Sequence, residues 1–409
     1  MTFDRESARS DRRERQRAAA RARATRAMAI GGTTALVLVL LAGGGLAVAS
    51  VLRDRAPAPT PVTAYPVGLE TSAPVSAARR AADWVRAESE PETITIAAVG
   101  DLLFDLGPRR LIDAQGGAAP LAKVASILKA ADVTIANLET TLSNRGESVK
   151  GKPANLIFNG HPRGIESLTT AGIDLVSLAN NHAMDHGTPA LEDTLAALDE
   201  AGVKHAGAGL STKAAWEPAI IEVKGRRIAY VTATQIVPSY FEPGPDRAGI
   251  ANGKNVEKVV TAIRAARKRA DIVIVSLHWG KEQAYAANAS QVSQSKRFID
   301  AGADIVLSHH PHVMQGIDTY KGKLIAYSLG NFLFPYKTTE GRKSFILRFD
   351  YGPAGVGNIT AVPVYLGEWG RPVPQTGTSA RSILGKLDSI SRPFGTRVVI
   401  EGDVGRILP

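Results

Sequence analysis

The chain contains no cysteine. That absence excludes disulfides, iron–sulfur clusters, thiolate zinc sites and a cysteine nucleophile. It also excludes a lipid anchor of the bacterial lipoprotein type. An exported domain that needs no covalent staples is compatible with it. Aromatic residues are few, at 6%, so the chain offers little surface for base stacking. Acidic residues fall short of basic ones, leaving a formal charge of +10. Half of that excess sits in residues 1–27, which carry nine arginines and four acids. A basic tail can serve nucleic acid, but this one borders an apolar run, and nucleic-acid binding is not expected. Histidine is scarce too. Of eight in the chain, His309, His310 and His312 crowd around Pro311 in SHHPH.

From Ala27 to Leu52 no residue is charged. Twenty-six residues exceed the ~20 needed to cross a bilayer core. The arginine-rich flank predicts a cytoplasmic N-terminus and an extracytoplasmic C-terminal bulk. The expected order is a basic tail at 1–27, a single-pass signal anchor in the cell membrane at 28–52, and a linker at 53–92. A cleaved signal peptide is the competing reading, because AVAS near residue 50 offers small residues. The linker carries five prolines over 53–75, too many for a core, and 76–90 reads as a short helix.

From Thr93 the pattern changes. TITIAAVGD, VTIANLE, LVSLANNH, DIVIVSLHWG and IVLSHHPH each pair a short apolar run with a polar cluster. Helical stretches at 120–131, 189–202 and 255–270 lie between them. Strands alternating with helices predict an α/β fold with a largely parallel sheet. The strand-rich final third, KLIAYSLGNF, SFILRFDY and NITAVPVYL, predicts a second, more antiparallel sheet. The expected main domain is 93–366, followed by an extension at 367–409 with no readable structure.

In open α/β sheets ligands bind beyond the carboxyl ends of strands. The polar clusters there hold Asp101, Glu139, Asn181 with His182, His278, and His310 with His312. Carboxylate, amide oxygen and imidazole are the donors of zinc, manganese and iron sites that use no thiolate. Each cluster alone has a simpler reading. Asp101 and Asn181 suit turns, Glu139 suits a surface, and His278 suits a satisfied core. SHHPH is stronger, because a proline restrains the residue before it to an extended conformation. Six of the eight histidines fall in these clusters; His161 and His205 do not.

GDLLF, ANLE, SLANNHAMDHG, SLHWGKE, SHHPHVMQG and YSLGNFLF, in that order over roughly 94–335, resemble the CapA family of capsule and poly-γ-glutamate synthesis proteins. That family is similar in turn to the calcineurin-like metallophosphoesterases. The resemblance implies a four-layer α/β/β/α sandwich, here preceded by one transmembrane helix. It implies metal ligands at Asp101, Glu139, Asn181, His278, His310 and His312, with Glu139 bridging. His182 would be the catalytic histidine, oriented by Asp185, and Glu282 a base or substrate contact. His309 stands where the wider superfamily has glycine and would face the pocket without binding metal. Asn331 could serve the site or pin a turn.

One departure matters. The superfamily pattern places a histidine two residues after the first aspartate, where this chain has Leu103. The expectation is therefore one firm divalent ion (manganese, zinc or iron) and a second that is weak or absent. Such an ion would polarise a phosphoryl or acyl oxygen, and His182 would protonate the leaving group or position water. Lys281 or Arg163 could meet an anionic substrate, though both also read as surface charges. Three functions compete: a metal-dependent hydrolase or transferase serving an anionic capsular polymer, a phosphoesterase acting on a cell-envelope substrate, and a non-catalytic subunit of a polymer synthase complex.

Overall fold

A computed structural model describes residues 92–409. The expected basic tail, membrane span and linker helix lie outside them. Among the described residues no helix is long and apolar enough to cross a membrane.

The strands, in chain order, are β1 Ile94–Leu102, β2 Val133–Leu138, β3 Leu175–Ser177, β4 Lys204–Ala206, β5 Ala208–Gly209, β6 Ala219–Val223, β7 Arg226–Thr234, β8 Gly249–Ile250, β9 Ile272–His278, β10 Ile305–His309, β11 Ile317–Tyr320, β12 Lys323–Ala326, β13 Asn331–Leu333, β14 Lys343–Gly352, β15 Gly355–Leu366, β16 Pro372–Pro374, β17 Arg397–Glu401 and β18 Val404–Leu408. One sheet runs β17-β18-β15-β14-β1-β2-β3-β4, with β13 beside β1 and β16 beside β15. The other runs β11-β12-β10-β9-β7-β6.

Alternation along the strands sorts the layers. Ile94, Ile96 and Ala98 of β1 pack with Ile272 and Ile274 of β9 and with Ile305 and Leu307 of β10, so the two sheets face each other. Ala97 and Val99 turn outward onto Ile112, Leu168 and Leu191 of the helices. Val273 and Val275 turn outward onto Val259, Ile263 and Phe298. The result is a mixed α/β sandwich with helices on both outer faces.

The helices follow local rules. Val256–Arg267 buries Val259, Val260, Ile263 and Ala266 on one face, and Asn255 caps its first turn. Ala289–Asp300 starts with a capping box between Asn288 and Gln291. The expected continuous helix at 120–131 is divided. A 3₁₀ turn at Ala119–Leu121 and a short helix at Ala125–Leu128 flank Val124 at φ −113°.

The antiparallel strands also depart from expectation, because they do not form a sheet of their own. β14 pairs antiparallel with β1, and β15 with β14, so they extend the first sheet. The second sheet is parallel at its centre, with antiparallel edges β6 and β11. Residues 367–409 are ordered: helix Gly377–Ser391 buries Ile383, Leu384 and Leu387, and β18 pairs with β15. Period alone cannot tell which sheet an apolar strand joins.

Candidate metal centre

The carboxyl ends of the central strands of both sheets meet at one place. Asp101 lies at the end of β1, Asn137 near the end of β2 with Glu139 directly after it, and the segment 180–182 follows β3. His278 ends β9 and sits in register with His309 of β10. Asp101 reaches this place because β1 breaks its own alternation. The register with β2 shifts between Ala98 and Asp101, and such an irregularity re-aims side chains. Gly100 permits the close approach, since a Cβ there would lie 1.9 Å from the Gly330 oxygen. The same turn of the strand sends Leu103 into the apolar cluster beneath the helices. No histidine is therefore presented at that position.

Glu139 is the hub. Its Oε1 lies 3.4 Å from His278 Nε2, 3.9 Å from His312 Nε2 and 4.0 Å from His182 Nε2. Both its oxygens are buried without a hydrogen-bond partner, as are Asp101 Oδ2 and His310 Nδ1. Leaving such groups unpaired costs roughly 1–3 kcal/mol each. Three donor sets lie close enough to share a cation: Glu139, His278 and His310; Asp101, Glu139 and His312; Glu282, His310 and His312. Asn181 Oδ1 adds an amide oxygen 2.8 Å from His278 Nε2. These unpaired oxygens and imidazole nitrogens fit a divalent cation, and the structure brings every expected ligand into the cluster.

The SHHPH backbone differs from the extended form expected. His310 has φ 94° and His312 has φ 55°. Non-glycine residues at positive φ are uncommon, and two of them bracketing one proline mark a strained turn whose strain the surrounding contacts must hold. Gln283 N donates to the Pro311 oxygen at 2.9 Å. Asn331 donates to the oxygens of His312 (3.1 Å) and Gly341 (2.9 Å). Its own Oδ1 lies 2.8 Å from His312 Nδ1, so Asn331 both pins the turn and aims the imidazole. The rings of Phe334 and Tyr336 flank His312.

His182 sits beside this cluster. Its Nδ1 donates to Asp185 Oδ2 at 2.7 Å, and its ring lies 4.5 Å from that of Phe158. Asp185 also accepts from Phe158 N at 2.9 Å. Sequence reasoning missed Lys152. Its Nζ donates to Asp185 Oδ1 (2.6 Å) and to the Asn181 oxygen (2.9 Å), and it lies 3.0 Å from His182 Nδ1. It also missed a relay of amides. Asn180 Nδ2 donates to Asn137 Oδ1 at 3.1 Å, and Asn137 Nδ2 donates to Asp101 Oδ1 at 2.9 Å. Of the two cations expected to meet substrate, Arg163 is engaged by Glu166 at 2.7 Å, and Lys281 is exposed. Glu282 is exposed at the rim. His186, grouped with the site histidines by sequence, precedes helix Gly187–Glu200 and makes no capping bond. A groove of about 530 Å³ along Trp216, Glu257 and Thr261 includes none of these residues.

Burial dominates the electrostatics. It lowers His182 to about 4 against the pull of Asp185, and lowers His310 to about 3 with help from His312. Burial and the neighbouring imidazoles hold His278 well below its ordinary value. Burial, then the Asp101 carboxylate, pushes Glu139 well up. Burial works against the Asp101 anion too, but His309, His312 and Asn137 outweigh it and hold that carboxyl low. Burial lowers Lys152 against the pull of Asp185. At neutral pH the imidazoles of His182, His278 and His310 are therefore uncharged, the form that binds metal.

Residues 95–336 match the family described as bacterial capsule synthesis protein PGA_cap. "Capsule biosynthesis protein CapA" of Bacillus anthracis is 29% identical over 298 residues, 70% of this chain and 71% of its own. "Probable polyglutamine synthesis accessory protein" of Mycobacterium tuberculosis is 32% identical over 291 residues, 67% of this chain and 76% of its own. Among solved structures, a hypothetical protein of Thermus thermophilus is similar at a TM-score of 0.41 and 18% identity, covering 66% of this chain and 98% of its own. The family match spans more than half of the chain and takes in all the strand-end motifs described above. The chain belongs to the bacterial capsule synthesis family PGA_cap.

Proposed function

We propose that this protein acts in the synthesis, release or export of an anionic capsular polymer of the poly-γ-glutamate kind, through a divalent-metal hydrolase or transferase site. The polymer half of this reading is supported by the names of its relatives, which speak of capsule, PGA and polyglutamine synthesis. One observation carries the chemical half. Glu139 is fully buried, both its oxygens lack partners, and three imidazole nitrogens lie within 4.0 Å of it.

In this reading Glu139, Asn181, His278 and His310 would hold one cation, and Asp101 and His312 would join Glu139 at a second. A bound divalent cation supplies positive charge that polarises a phosphoryl or carbonyl oxygen. The rest is work for the chain's own groups. His182 enters neutral, with Nδ1–H committed to Asp185 and Nε2 toward Glu139. Its Nε2 can take a proton from the attacking water and return it to the leaving group. Asp185 fixes the tautomer, and Lys152 fixes Asp185. Glu282 at the rim faces arriving substrate. Residues 28–52 would anchor the domain outside the cell membrane, beside a polymer synthase complex.

The test is deletion of the gene in its host, followed by measurement of surface polymer. Loss of a glutamate polymer, restored by the wild-type gene and not by His182→Ala, is the expected result. An unchanged polymer contradicts the polymer role. Restoration by His182→Ala assigns the chain a binding role instead.

A further inference from the structure

The metal reading leaves one buried histidine unused. His309 is 1% exposed, and both its ring nitrogens lack hydrogen-bond partners. A histidine kept only for packing is a poor choice in such a place, because an unpaired buried polar group costs more than an apolar side chain of similar size. Its backbone is fixed from both sides. It ends β10 in register with His278, and its oxygen accepts from Trp279 N at 3.1 Å. Alternation with Ile305 and Leu307 aims the side chain between the sheets. There its Nδ1 lies 3.0 Å from Asp101 Oδ1, nearer than His312 Nδ1 at 3.6 Å from Oδ2. That distance is within hydrogen-bond reach.

We propose that His309 makes a second cation position competent, by holding Asp101 in place of the histidine that Leu103 does not provide. The inference rests on the metal reading above. Asp101 brings few restraints of its own. Asn137 donates to Oδ1, and Oδ2 has no partner. With His309 on Oδ1 as well, the carboxylate plane is fixed and Oδ2 stays free, turned toward Glu139 and His312. An outer group of this sort tunes affinity by roughly 10–100-fold without touching the ion. His309 is thus a positioning residue acting through Asp101.

The test is a titration of the chelator-stripped full chain with Mn²⁺, counting free ion by electron paramagnetic resonance. Wild type is expected to bind two ions. His309→Gly keeps the first at unchanged affinity and weakens the second by at least tenfold, and His309→Gln, which keeps an N–H donor, restores most of the loss. Retention of the first ion in His309→Gly shows that the variant has folded. Two ions bound at wild-type affinity by His309→Gly overturn the proposal. So does equal loss in both variants, which denies the N–H donor at 309 its role, and so does a single ion in wild type. A wild type that binds no Mn²⁺ overturns the metal reading itself, a result distinct from all of these.

Discussion

Asn331 Oδ1 lies 2.8 Å from His312 Nδ1, and this one contact sets the tautomer of a candidate ligand. The Asn331 amide has no freedom to turn over, because its nitrogen donates to the oxygens of His312 and Gly341. The oxygen must face the ring, so Nδ1 carries the proton and Nε2 keeps its lone pair for the cluster. Asn331→Leu should therefore weaken metal binding by roughly 10–100-fold. Calorimetric titration of the stripped protein reads this directly, and unchanged affinity would contradict it.

Glu139 presents the opposite case, a side chain expected to cost stability in the metal-free protein. Glu139→Met removes two unpartnered buried oxygens. It should raise the stability of the metal-free protein by roughly 1–3 kcal/mol and abolish the stabilisation that added metal gives wild type. Paired thermal melts, with chelator and with metal, measure both. A destabilised, still metal-responsive variant would show that Glu139 is structural.

Lys152, Asp185 and His182 form a unit that meets the cluster through His182 Nε2 and through the Lys152 bond to the Asn181 backbone oxygen. His182→Ala should abolish turnover of any accepted substrate and leave metal content unchanged. Lys152→Met should lower the rate by roughly tenfold or more, with metal content also unchanged, since it acts on Asp185. Loss of metal in either variant would place this unit among the ligands instead.

The pH response of the metal-free protein follows from the buried imidazoles. His182 and His310 sit at about 4 and about 3, against an ordinary 6.5. Between those values the native state binds fewer protons than the unfolded chain, so stability rises with pH. Their contribution is complete above about 6.5 and is lost as pH falls toward 4 and then 3. Glu139, whose carboxyl is raised, runs the other way: its contribution is full below 4.5 and lost as pH climbs. The histidines outnumber it. Melts in chelator should show several kcal/mol lost from about pH 6.5 to about 4.5, more in Glu139→Met. A flat profile would contradict the buried neutral imidazoles.

The candidate ligands were readable because each ends an apolar run, and strand ends are where α/β sheets expose chemistry. What escaped reading had no such marker. Lys152 lies in a stretch without period, and only the folded chain brings it to Asp185. Asn137 sits inside an apolar strand, where an amide reads as an interruption. The irregularity that turns Asp101 inward and Leu103 outward is a matter of register between strands, which one sequence does not carry. The antiparallel strands were visible as strands. Their place beside β1 depends on partners far along the chain.

The cluster around Glu139 is proposed as a metal site, and the chemical half of the proposed function depends on it. Its most direct test is the metal content of the purified full chain, by elemental analysis, beside Asn181→Ala and His310→Ala. The predicted result is at least one divalent ion per wild-type chain and its loss in both variants. Full metal retention in both would contradict the assignment.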